Sequence, residues 1–291
     1  MPLPPLAVED LEPLHHFITH AYATLGIRPE SQRIWLDCVV LLGFKNPLVL
    51  QGHLSISALH LATLLPAQSQ TCVAHALTQY DRKLATFRVA LQNANSENYK
   101  AIYNFSYITV IHALAIAQVQ KPEDPAGGLL GCMHLVQGVM VVLVPFLSEL
   151  YSSEFGPMLR PDIFESDDVL PRCFQRGQNN ATENALDLLH HLVCKAHADT
   201  VGEPYVHYML CWHALLSSGF LQDLSRKDPV SMILLAHFAA VLSLKSKAEN
   251  WFVARWSIHI FDAVESRLEP NLKEWLDWPR AVMEQGRIVL N

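Results

Sequence analysis

The chain has 291 residues, 51% of them hydrophobic and 17% charged, with a mean hydropathy of +0.16, so a large buried core is within reach and global disorder is excluded. Its 12 glycines and 17 prolines follow no period and no heptad run persists, which excludes collagen, low-complexity linker and long coiled coil. Twenty-one Lys and Arg against 28 Asp and Glu give a net charge of −7 with no dense basic stripe; such a surface repels a phosphate backbone, and nucleic-acid binding is not expected.

Taken in chain order, the opening Met-Pro-Leu-Pro-Pro has no charged head followed by an apolar core, so no signal peptide is expected. Residues 33–43 place Trp35, Cys38, Val39 and Leu42 on one helical face, with Gly43 as the stop. Residues 53–65 repeat the pattern with Leu54, Ala58, Leu61 and Leu65 before Pro66. A longer helix over 72–91 should carry Leu77, Leu84 and Leu91 inward and Arg82, Lys83 and Arg88 mostly outward. The next helix opens near Ser96 and Tyr99 and is apolar on nearly every side over 105–117, which makes it central. Turn chemistry follows at 120–128, around Lys121-Pro122-Glu123-Asp124-Pro125.

The most lipid-like stretch, 127–146, carries His134, Gln137 and Pro145 among several glycines and reads as a buried helix rather than a membrane span. Residues 156–180 lack any period, an irregular loop of the length a lid uses. Asn180 with Glu183 three residues on forms a capping-box pattern. Asp228-Pro229 launches a helix over 232–245, and another is expected over 248–268 with Pro270 at its end. With no hairpin signal, the sum is a single all-α domain over 1–291, of about ten helices around an interhelical apolar pocket. The six cysteines show no C-x-x-C, so thiols in a reducing, cytoplasmic setting are expected rather than a zinc module or disulfide framework.

Several degenerate pieces, in order from about residue 10 to residue 280, resemble the C-terminal regulatory domain of fungal zinc-cluster transcription factors of the sterol-uptake-control type. They are Asp10-Leu11-Glu12 with His15-His16-Phe17, the run Ser55-Ile56-Ser57-Ala58-Leu59-His60-Leu61-Ala62, Asn104-Phe105-Ser106, Trp256, His259 and Glu274-Trp275-Leu276-Asp277-Trp278-Pro279. That family joins this domain to an N-terminal six-cysteine DNA-binding cluster, and these residues contain none. The chain is also similar to the free-standing fungal humulene synthase group, all-helical relatives of these regulators that cyclise farnesyl diphosphate. Both resemblances imply a greasy cavity for an isoprenoid-derived ligand. The first implies a non-catalytic, dimerising, nuclear sensor of a sterol-like molecule, and the second a sesquiterpene cyclase dependent on Mg2+. The missing cluster tips the expectation toward the cyclase.

A class I cyclase needs carboxylates to hold magnesium while the diphosphate leaves. The usual D-D-x-x-D and N-S-E motifs are absent, and Asp167-Asp168 sits in the loop. The remaining candidate metal ligands are Asp37, in helical register between Ile34 and Leu41, and Glu183 with Asp187, four apart and in reach of His191 on one face. Capping also explains Glu183, and a solvated stripe explains Asp187. Lys245, in line with His237 and Val241, is the candidate diphosphate-binding cation, with outward snorkelling as the plainer account. Asn104, Tyr107, Met209, Trp212, Met232, Val241 and Trp251 are the expected substrate-lining residues, because aromatic faces stabilise carbocations and apolar walls exclude water; ordinary packing uses the same residues. The 15 histidines, His16 with His20 and the pair His190-His191 among them, lack zinc-site spacing and read as structural.

Overall fold

The computed structural model describes residues 7–26, 29–159, 180–198, 212, 215–244 and 251–287. Lys245, Met209 and residues 160–179 of the expected loop lie outside them. Every regular element among the described residues is a helix and none is a strand, the all-α class expected from the residue pattern. Contacts gather into two compact units, Met1–Gln120 with Gly138–Arg160 and Lys121–Gln137 with Pro161–Asn291.

The first unit is built on the helices Pro47–Leu64 and Tyr99–Val119. Asn46 caps the former, its side chain accepting the Leu48 N–H at 3.0 Å ahead of Pro47 at the first helical position. Every residue from Leu48 to Ala62 is buried, so this helix is enclosed on all sides. Gly52 lets it approach Tyr99–Val119: a Cβ there would lie 2.9 Å from Ile108 Cδ1 and 3.2 Å from Phe105 Cδ2. The helix Ser69–Gln92 turns Val73, Ala76, Gln79 and Phe87 inward, whereas Leu77, Leu84 and Leu91, expected to do so, are only half-buried.

The N-terminal helix Val8–His16 runs into a π-helical turn, Phe17–Ala21, and a second π-helical turn, Ile34–Val39, precedes the helix Val40–Lys45. The N-terminal helix is tied down by polar contacts. Ser57 donates to the Pro13 carbonyl at 2.6 Å, Gln79 donates to buried Asp10 at 2.6 Å, and His75 Nε2 stands 3.4 Å from the same carboxylate.

The second unit centres on Pro229–Ser243, capped by Asp228, whose carboxylate accepts the Ser231 N–H at 3.0 Å. Ala181–Ala198, Trp256–Glu265 and Asp277–Gln285 pack on it. Asn180 accepts the Glu183 N–H at 3.2 Å, the cap expected from the spacing. Trp212 stacks on Phe238 at 4.3 Å between ring centroids. The expected helix over 248–268 is shorter: residues 251–255 form turns, the helix runs Trp256–Glu265, and Pro270 opens a 3-10 turn, Pro270–Leu276.

Two stretches are long and apolar enough to cross a membrane by length and composition, Tyr99–Val119 and Pro125–Ser152. The most apolar window of the first is 83% buried, as in a core helix. The corresponding window of the second is only 28% buried, which corrects the expectation of a buried helix over 127–146. Gly131 and Gly138 on it face open space, with no atom within 4 Å of an added Cβ.

Candidate functional site

In the first unit, polar side chains meet where the surrounding core is apolar. His53 lies in the middle of Pro47–Leu64, 1% exposed, and Asn104, wholly buried on Tyr99–Val119, is beside it. Tyr107 is three residues further along, on the same side of the helix. Trp35, from the second π-helical turn, packs its ring 5.4 Å from that of Tyr107. Phe17, from the first π-helical turn, stacks on the His53 imidazole at 4.6 Å and 19°. Gly43 completes the wall, since a Cβ there would lie 3.1 Å from His53 Nδ1.

The cluster is neutral. Burial pushes the His53 imidazole down to about 3, against the opposing effect of its side-chain hydrogen bond with Asn104. Lys100, one turn before Asn104, is committed to Glu154 at 2.8 Å. What distinguishes the cluster is its hydrogen-bond inventory. The His53 imidazole and the Asn104 side chain hydrogen-bond each other, while Asn104 Nδ2 and Trp35 Nε1 are buried and have no partner. Buried polar atoms are nearly always paired in native proteins, and each unpaired one costs about 1–3 kcal/mol. The two π-helical turns among the described residues each deliver an aromatic ring to the cluster. Such turns concentrate at functional sites. The arrangement offers hydrogen-bond donors inside a dry core, with no charge.

A second polar contact, between imidazoles, fastens the N-terminal helix. His16 Nε2 and His60 Nδ1 share a buried hydrogen bond of 3.1 Å, and His20 stacks on His16 at 5.3 Å. Burial lowers both groups, aided by neighbouring imidazoles, and His60 falls to about 4.

The residues singled out from the sequence divide between the units. Asn104 and Tyr107 belong to the cluster just described. Trp212, Met232 and Val241 are buried in the second unit, and half-buried Trp251 meets Phe252 edge-on at 5.7 Å. Asp37 is exposed on the second π-helical turn, and Glu183 and Asp187 are exposed on Ala181–Ala198. Among the described residues no group of three or more His, Cys, Asp or Glu side chains is placed to hold a metal ion. His53, Trp35 and Phe17 were not marked as site residues by sequence reasoning. The available signal was the polar residue His53 within the long, mostly apolar run of Pro47–Leu64, with Asn104 within another apolar run. No protein-family model matches the chain, and no curated protein matches it.

Proposed function

We propose that the chain is a non-catalytic binding domain for a terpenoid or sterol-like molecule, held in an apolar interhelical space of the first unit with its polar group toward Asn104 and His53. The observation that supports this reading is the buried, uncharged cluster flanked by two π-helical turns, in which Asn104 Nδ2 and Trp35 Nε1 lack hydrogen-bond partners. A ligand supplying the missing partners would recover the desolvation cost that the free protein carries. The cyclase reading asks for carboxylates converging on one mouth of the pocket, whereas Asp37, Glu183 and Asp187 stand exposed to solvent.

The test compares two assays on purified full-length protein. Equilibrium binding of cholesterol and of farnesol is measured with and without chelator, and farnesyl diphosphate is incubated with magnesium and assayed for hydrocarbons. Saturable, chelator-insensitive binding without hydrocarbon is the expected result. Hydrocarbon formation, or no binding of either alcohol, overturns the proposal.

A further inference from the structure

We infer that His190 and Cys194 form a chelating site for a soft divalent cation of the zinc class, on the exposed face of the helix Ala181–Ala198 in the second unit. The site is independent of the terpenoid-binding reading, which concerns the first unit. His190 and Cys194 are both exposed and stand four residues apart, the spacing at which side chains on successive turns of a helix meet. His190 Nε2 and Cys194 Sγ face each other at 3.5 Å. A tetrahedral zinc ion with bonds of about 2.3 Å to sulfur and about 2.0–2.1 Å to imidazole nitrogen holds those two atoms about 3.5–3.6 Å apart. The free side chains thus already stand at the separation that the metal imposes.

In the free chain the thiol hydrogen occupies the space between the two atoms. On binding, that proton leaves to solvent, the sulfur bonds the cation as a thiolate, and the imidazole bonds it through the Nε2 lone pair, with its own proton on Nδ1. Charge favours the cation as well. Glu183 and Asp187 are exposed on the same helix, and the spacing 183, 187, 190, 194 lays both carboxylates along the line that carries the pair. Sulfur and imidazole select against magnesium, which takes oxygen ligands. Among the described residues no third His, Cys, Asp or Glu side chain joins the pair, so water completes the coordination.

The test is a cobalt(II) titration of the purified full-length chain under reducing conditions, followed by the thiolate-to-cobalt charge-transfer band in the near ultraviolet. The expected result is a saturable band, removed by zinc and unaffected by excess magnesium. Cys194→Ser should abolish the band. His190→Ala should weaken cobalt binding at least about tenfold, since even losing a ligand's supporting hydrogen bond costs that much, and His191→Ala should leave the band in place. No charge-transfer band in the unaltered protein overturns the inference. A band that persists in Cys194→Ser arises at another of the six cysteines and overturns the assignment, as does one insensitive to His190→Ala. Alkylation by iodoacetamide with and without zinc, mapped by peptide mass, makes the same assignment without any substitution: zinc should protect Cys194, and an unprotected Cys194 overturns the site.

Discussion

Asn104 is wholly buried and its side chain hydrogen-bonds the buried His53 imidazole, a partner that leucine would not supply. Asn104→Leu should therefore lower the unfolding free energy of the chain by about 1–3 kcal/mol, the cost of leaving a buried imidazole without its partner. Urea denaturation measures it, and unchanged or raised stability would mean that the imidazole does not rely on this amide. The buried imidazoles set a pH dependence. His53 is lowered to about 3, and His60 and His112 to about 4, from 6.5, chiefly by burial. The unfolded chain therefore binds protons that the folded one refuses. The contribution is complete above pH 6.5 and is lost as pH falls from there toward 4, and on toward 3 for His53, at up to about 1.4 kcal/mol per pH unit for each group. Unfolding midpoints between pH 7 and pH 4 should fall steeply, and His60→Gln should flatten the slope by about one group's share.

Two glycines separate close packing from open space. Gly52→Ala pushes a Cβ against Ile108 and Phe105 in a filled interface and should cost about 1–3 kcal/mol. Gly131→Ala meets nothing within 4 Å and should add about 0.5–1 kcal/mol through helix propensity alone. Paired thermal melts of the two variants check both signs. Asp228→Ala removes the acceptor for the Ser231 N–H and should cost about 1 kcal/mol in the same assay. Caps of this kind are legible in sequence because they are local: Asn180 and Asp228 both accept the hydrogen bond that their spacing implies. Helix faces are less so. Leu77, Leu84 and Leu91 follow a seven-residue spacing that drifts by about 20° per repeat on a straight helix, and the inward face instead carries Val73, Ala76, Gln79 and Phe87. The stretch 127–146 is apolar throughout, so periodicity gives no sign of which side, or how much of it, other elements cover.

Ligand binding at a buried site acts on the folded state as a whole. Saturating an alcohol at about 100 times its dissociation constant should raise the unfolding free energy by about 2.7 kcal/mol, without magnesium, and a variant that binds about tenfold more weakly, as expected of Asn104→Leu, should lose about half of that increment at the same concentration. Thermal shift with cholesterol or farnesol measures both. The amino-acid sequence by itself determined the helical class, the capped starts at Asn180 and Asp228, and the burial of Tyr99–Val119, because each follows from neighbours within a few residues or from hydrophobicity along a single helix. It also marked Asn104 and Tyr107. Only the tertiary structure decided that His53 stands beside Asn104, that two π-helical turns bring Phe17 and Trp35 to them, and that Asp37, Glu183 and Asp187 face solvent. Such meetings depend on how distant helices are rotated and pressed together, a matter of packing between segments that no local spacing encodes.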